Sequence, residues 1–531
     1  MAYSKFGFIE LNNSNSNIEK TVKNSLISVI SQFVTLVLQF VNRKVFVIYL
    51  NVELLGCYSL FTNIFNIISI AELGIGNIIA FHLYKQIVNN NKHEIASLMC
   101  LYKILYRAVA LIVFILAVVF SFFLPSIIKD SSLSNEYIYL IYYLQFLSIL
   151  LSFFLSYKRV IFISSQQEYK CVKVDLYVSI VLQSLQLFFL FLFKNYLIYL
   201  CIQISTTLIS NIIISKNVDK EFPYLSTVNK VTWSYVRGKR IFLEMKNFFI
   251  HKISYAIFGG TDNIIISTLC GVKSVAIYSN YIMIQYGVMQ ILFYRLLNPV
   301  QATIGNIVYS NRSKEELWYQ FLTLDVFSFF YASYIGLGFL VFFQPVIQLW
   351  MGVEYLLPFH FVVVFASYIY LGAVWEIVYK YRSVFGDYKN DRWFMVIAAV
   401  ANVCLSIPAA KLWGVTGVQV GTLVSFIFIA LGRIRFVVKN YFERSMINYL
   451  LKHSLLFCVF AFEGLVCYEL TDNLECNLFG LFLRFILWFF VPLIINSIIY
   501  HRSPHFKHLI SYLIKVKKIM FKRFLDSILR R

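Results

Sequence analysis

Charge is scarce in this 531-residue chain: Asp, Glu, Lys and Arg make up 14% of it, against about one-quarter in an ordinary soluble domain. Acidic residues are scarcer still, 26 against 47 Lys and Arg. Helix breakers are few, with 8 prolines and 21 glycines. No CxxC pair occurs among the nine cysteines at 57, 100, 171, 201, 270, 404, 458, 467 and 476, so neither a zinc site nor a disulfide framework is expected. Isolated cysteines in apolar surroundings are expected to act as small hydrophobes. The HExxH, Walker A and nucleophile-elbow spacings are missing as well. Metal-dependent hydrolysis, ATP hydrolysis by this chain and serine-hydrolase chemistry are therefore not expected, nor is any cofactor. No segment reads as a soluble catalytic domain, and the polar first 20 residues predict no cleavable signal peptide.

Apolar residues fill the space instead, at 60% of the chain, with aromatics at 18%. One soluble core cannot use that much apolar surface, so the excess must face lipid. A helix crossing the hydrocarbon layer needs about 20 apolar residues. Fourteen spans meet that pattern, at 22–42, 54–81, 105–128, 137–157, 174–193, 195–215, 248–270, 274–299, 321–349, 359–385, 393–411, 414–432, 449–469 and 477–500. The fold expected is all-α and polytopic.

A net charge of +21 would suggest nucleic acid in a soluble protein. Here it fits the excess of Lys and Arg in cytoplasmic loops and their attraction to anionic lipids, and no nucleic-acid partner is expected. With these spans, Arg43, Lys44, Lys129, Lys194, Lys273 and Lys411 fall in one set of alternating loops. Most other cations fall in the opposite set and the tails, which predicts that both termini are cytoplasmic. The tail 501–531 places Leu509, Leu513, Met520 and Phe524 among Lys515, Lys518, Lys522 and Arg523, the pattern of a basic amphipathic helix on a membrane surface.

Internal similarity is visible. Lys23-Asn24 and Lys246-Asn247, Gly76-Asn77-Ile78 and Gly305-Asn306-Ile307, Lys92-His93-Glu94 and Lys314-Glu315-Glu316, Tyr157-Lys158 and Tyr379-Lys380, and Gln203 and Gln419 recur in the same order at offsets of 223, 229, 222, 222 and 216. The implied unit holds six spans, an even number, so its two copies share one orientation. The expected organisation is an N-tail (1–21), a first six-helix bundle (22–215), a linker (216–247), a second bundle (248–432), an appended helix pair (433–500) and the basic tail (501–531).

Ionisable groups inside spans are costly and mark candidate sites. Arg43 follows the first span, at headgroup level or in a cavity. Glu72 lies late in the second span. Lys252 and Asp262 share the seventh, ten residues apart, about three helical turns. Arg295 sits late in the eighth. Glu376 precedes Lys380 by four residues, the spacing of a local helical ion pair. Glu463 and Arg484, in the last two spans, are expected to pair. Asn63, Gln39, Asn280, Gln285 and Gln290 can hydrogen-bond sugar hydroxyls or bridge neighbouring helices.

The runs Arg43-Lys44-Val45-Phe46, Leu54-Leu55-Gly56, Leu60-Phe61-Thr62-Asn63-Ile64, Ser69 to Gly76 (SIAELGIG) and Leu83-Tyr84-Lys85 resemble the Wzx-type polysaccharide flippases of the multidrug/oligosaccharidyl-lipid/polysaccharide (MOP) exporter superfamily. Thr261-Asp262-Asn263-Ile264, Gly271, Val275, Tyr278-Ser279-Asn280-Tyr281 and Ile304-Gly305-Asn306 agree, so the resemblance covers about 20–430. It implies a V-shaped pair of bundles around a cationic cavity in the bacterial plasma membrane. The implied cargo is an undecaprenyl-pyrophosphate-linked oligosaccharide for capsule or O-antigen, flipped outward by rocker-switch alternating access coupled to H+ or Na+. A polysaccharide polymerase is an implied partner. On this reading Arg43, Lys252, Arg295, Asn63 and Asn280 bind substrate, because Arg holds phosphate oxygens in a fork. Glu72 and Asp262 serve ion coupling or gating. Asn51 and Cys57 depart from the family pattern and bear on specificity.

Three other readings compete, one of them a purely structural membrane scaffold, against which the charges within the spans argue. A cation-coupled drug antiporter of the same fold would want carboxylates where this chain places Arg43, Lys252 and Arg295. A membrane polysaccharide polymerase needs a large extracytoplasmic loop and predicts no six-span repeat.

Overall fold

The computed structural model describes residues 11–69, 75–128, 131–228, 231, 253–254, 256–290, 300–301, 304–305, 307–308, 313–385 and 388–511. Among them there is no strand, and nine helices are long and apolar enough to cross a membrane. The chain is a multi-pass membrane protein, and its surface shows why. In Glu168–Phe193 and Leu478–Tyr500 only 17% of the apolar stretch is buried, and Phe188, Phe191, Phe482 and Ile498 point outward. Such faces are stable only against hydrocarbon.

By its internal contacts the chain divides into Met1–Ser279 and Asn280–Arg531. The first unit contains α1 (Leu11–Tyr49), α2 (Val52–Ile68), α3 (Ile75–Val88), α4 (Lys92–Ser121), α5 (Asn135–Leu155), α6 (Arg159–Ser164), α7 (Glu168–Phe193), α8 (Tyr196–Glu221) and α9 (Asp262–Cys270). It ends within α10 (Val272–Val288). Helices start where side chains can accept the first free amides: Asn51 from Glu53, Asn91 from Glu94, Ser134 from Tyr137 and Asn195 from Leu197. Helix α7 packs on α1 and α8, and α5 on α4 and α8. Phe61, Phe65, Tyr142 and Phe153 fill the interior with rings.

The second unit is built on α11 (Lys314–Trp350), which contacts α12 (Phe359–Val374), α15 (Met446–Thr471) and α16 (Leu478–Tyr500). Ser313 and Glu316 close a capping box at its start. Helices α13 (Glu376–Phe385) and α14 (Tyr388–Ile434) complete the set. Helix α14 is two helices joined across Trp413 and Gly414, and Gly414 has φ +57, a left-handed turn that suits glycine. This break falls between the eleventh and twelfth expected spans. Past it, Gly417 and Gly421 lie against the backbone of Ala409 and Ser406, the small-residue contact of paired membrane helices.

Elements recur at the repeat offset. Lys92 and Lys314 open α4 and α11; Asn135 and Phe359 open α5 and α12. The left-handed turn at Lys194 (φ 48) between α7 and α8 matches that at Gly414. Helix α5 yields to a 3-10 turn at Ser156–Lys158, and α12 breaks at Trp375, just before the paired Tyr-Lys dipeptides. Two expectations need correction. The single span 54–81 is two helices, because α2 ends at Ile68 with the Ser69 amide turned back to Phe65 and Ile67. The expected span 359–385 is present as one apolar stretch, Phe359–Phe385, with a local break at Trp375. Cys201, Cys404 and Cys458 are exposed rather than buried hydrophobes, whereas Cys57, Cys100, Cys171 and Cys467 are buried as expected. The Lys23-Asn24 and Lys246-Asn247 pair and most of the basic tail beyond 511 lie outside the described side chains.

Candidate functional site

A file of polar side chains runs through the first unit where α1, α2, α9 and α10 meet. Arg43, late in α1, donates to the Ser279 hydroxyl and, at 3.4 Å, to the Ala276 carbonyl. Ser59 on α2 donates to Ser279 Oγ at 3.0 Å, and Ser279 donates on to the Ala276 carbonyl at 2.8 Å. The Ser59 carbonyl accepts from Asn63 at 3.2 Å and from Asn263 at 3.5 Å. Tyr278 donates to Asp262 Oδ2 at 3.3 Å. One helical turn before Ser59, Gly56 removes the side chain that would hold α2 off α10; a Cβ there would sit 2.1 Å from the Val272 carbonyl oxygen. Small residues on two helices thus let a guanidinium reach polar groups in an apolar protein, where hydrogen bonds to a charged group are strong.

Sequence reasoning chose four members of this region. Arg43 is partly exposed, Asn63 is half-buried and bonded within its own helix, and Asp262 is buried. Asn280 follows Ser279 in α10 and is 0% exposed. Glu72, Lys252 and Arg295 lie outside the described side chains.

Other polar groups in the structure were not singled out from the sequence. Glu53, 2% exposed, accepts from the Ser132 amide (2.8 Å), the Ser132 hydroxyl (2.9 Å) and the Ser131 hydroxyl (3.0 Å), and pairs with Lys273 at 3.2 Å. Arg159 holds Asp175 in a two-pronged pair at 2.7 and 2.9 Å and also donates to Asn211 at 2.9 Å. In the second unit Asp325, 1% exposed, accepts from Tyr449 and Lys452 at 2.7 Å each and lies 3.2 Å from His453 Nε2. Its place in the apolar run LTLDVFSFF was a signal available in the sequence.

The expected Glu376–Lys380 ion pair is present at 3.2 Å, with Lys380 2% exposed. The expected Glu463–Arg484 pair is absent from the described contacts. Arg484 turns instead to the carbonyl of Thr471 at the end of α15 (3.2 Å) and to those of Leu474 (2.6 Å) and Glu475 (2.9 Å) in the turn that follows. Helix ends leave such acceptors open, and one guanidinium satisfies three of them.

Comparison with known proteins places this architecture. A family model described as "polysaccharide biosynthesis protein" matches residues 21–297. No curated protein matches. Among solved structures, a lipid II flippase, MurJ, in an inward closed conformation covers 90% of this chain and 99% of its own at 16% identity, with a TM-score of 0.63. An inward-facing multidrug resistance MATE family transporter of the MOP superfamily covers 77% and 98% at 14% identity and TM-score 0.53. A Vibrio cholerae MATE transporter covers 80% and 96% at 12% identity and TM-score 0.52. The family match spans more than half of the chain and includes all of α2 to α10, so this protein belongs to the polysaccharide biosynthesis protein family and has the fold of the MOP superfamily transporters.

Proposed function

We propose that this protein flips undecaprenyl-pyrophosphate-linked oligosaccharide repeat units from the cytoplasmic to the outer leaflet of a bacterial plasma membrane, for capsule or O-antigen assembly. The observation that carries the reading is the guanidinium of Arg43, set among hydroxyls and carbonyls of α2 and α10 inside a member of the polysaccharide biosynthesis family. A pyrophosphate head must leave water to cross a bilayer, and a fork-shaped cation at membrane depth offsets that loss. On this reading Lys252 and Arg295 also bind the anionic head, and Asn63 and Asn280 supply amides for sugar hydroxyls. Asp262, bonded to Tyr278, and Glu72 respond to the coupling ion, H+ or Na+. Transport is rocker-switch alternating access of the expected bundles 22–215 and 248–432 on this reading, with anionic lipids and a polysaccharide polymerase as partners. Both termini are cytoplasmic on this reading.

The test is deletion of the gene in its native polysaccharide cluster, with surface polymer and lipid-linked intermediates separated on gels. The expected result is loss of polymer with intermediates retained on the inner leaflet, restored by the wild-type gene and not by Arg43→Ala at matched expression. Repeat units reaching the outer leaflet without the protein would refute the proposal. The drug-antiporter reading, favoured by the MATE fold alone, would then be tested by drug efflux.

A further inference from the structure

The helix pair α15–α16, outside the six-helix repeat, buries a carboxyl group that the expected partner does not reach. Glu463 on α15, Ser333 on α11 and Asn496 on α16 are each 0% exposed. Ser333 donates to Glu463 Oε2. Asn496 lies within interaction range of the same carboxyl. Yet Asn496 meets the carboxyl with poor geometry: no hydrogen bond of good geometry reaches Glu463 Oε1 or either amide atom of Asn496 among the described residues. Nor does any described Lys, Arg or His form an ion pair with Glu463. The ionisable neighbours are Tyr334 on α11, Tyr370 on α12 and Cys467 on α15, all neutral groups near pH 7.

Three orphan polar atoms side by side are rare in a folded interior, and donor–acceptor counting says what is missing. An ionised carboxylate only accepts, so it offers nothing to Asn496 Oδ1. It would also stand as a buried charge without a counter-ion. A proton on Oε1 changes both facts. The acid O–H donates to Asn496 Oδ1, the Asn496 amide donates back to the carboxyl, and Ser333 keeps Oε2. All three orphan atoms then acquire partners. A sodium ion at the oxygens is the competing occupant, and the test separates the two.

We propose that Glu463, Asn496 and Ser333 form a proton-binding site that ties α15 and α16 to α11. The site is separate from the Arg43 region and does not rest on the identity of the transported substrate. When the proton leaves, the acid–amide pair opens and a charge is stranded between the three helices, so proton loading locks the appended pair in place.

The test uses full-length protein purified into lipid nanodiscs. Infrared spectra at neutral pH are compared for wild type and Glu463→Gln. The expected difference is a carboxylic-acid carbonyl band present in wild type, shifted by deuteration and missing in the variant. Asn496→Leu should move that band without removing it. Raising the pH should lower the thermal midpoint of wild type more than that of Glu463→Gln, whose neutral amide mimics the loaded state. Should Glu463→Gln fail to fold, the wild-type band and its shift in Asn496→Leu decide the matter. An ionised Glu463 at neutral pH, seen as no acid band lost in Glu463→Gln or as thermal stabilisation by sodium alone, overturns the proposal.

Discussion

Replacing Gly56 by alanine puts a methyl group where α2 and α10 leave no room. The added Cβ would lie 2.1 Å from the Val272 carbonyl oxygen, 2.9 Å from its carbonyl carbon and 3.0 Å from its side chain. The nearest obstacle is backbone, which cannot swing aside as a flexible side chain does. One helix must withdraw by roughly 1 Å, and overpacking of this kind costs about 1–3 kcal/mol. Alanine returns up to about 1 kcal/mol in helix propensity, so the expected net effect is destabilisation. Withdrawal also pulls Ser59, three residues on, away from Ser279 and loosens the seat of Arg43. The assay is thermal unfolding of purified protein in detergent, with Gly259→Ala as the control. Among the described residues outside its own helix, nothing lies within 4 Å of a Cβ added at Gly259, so that variant should match or exceed wild type. Gly56→Ala should melt below both and, in cells, lower surface polymer at matched expression. Equal melting of Gly56→Ala and Gly259→Ala would refute the close contact and the packing argument built on it.

Other perturbations separate structure from transport. Arg43→Lys keeps the charge but loses the fork; polymer production is expected between those of wild type and Arg43→Ala, scored by gel at matched membrane levels. Glu53→Ala removes the acceptor for the Ser132 amide and two hydroxyls, a loss of about 1–3 kcal/mol, whereas Lys273→Ala breaks only a half-exposed ion pair and should cost about 0–1 kcal/mol; paired melting curves distinguish them. Arg484→Ala uncovers the carbonyls of Thr471, Leu474 and Glu475, and limited proteolysis should then cut the α15–α16 turn faster than in wild type.

What the sequence made legible depended on range. Local signals were read well: the boundary between the spans 393–411 and 414–432, where the break at Trp413 and Gly414 falls, and the Glu376–Lys380 pair from its four-residue spacing. Signals that depend on three-dimensional neighbours were not. Glu53 looked like an ordinary first-turn acid after Asn51, and only the approach of Ser131, Ser132 and Lys273 makes it a buried anchor. Arg484 and Glu463 were paired because opposite charges in adjacent apolar helices seemed to need each other. That argument left out the backbone carbonyls at the end of α15 and in the turn after it, which accept from Arg484.

That error exposes a rule of wider use in chains of this kind. A buried cation in a membrane helix has two classes of partner, side-chain anions and helix-end carbonyls, and only the first is visible as a charge in the sequence. Once Arg484 is assigned to carbonyls, Glu463 is left among neutral groups, and a second neutralising agent has to be sought. Two of the contacts that hold the positive charge of Arg43 go to a hydroxyl and a carbonyl. A carboxylate in the same seat would cancel that charge. Ser279→Asp therefore tests the electrostatic requirement for transport directly. It should hold Arg43 at least as firmly as wild type in thermal unfolding, yet abolish polymer production. Retained transport with a carboxylate beside Arg43 would show that a net positive charge there is not needed.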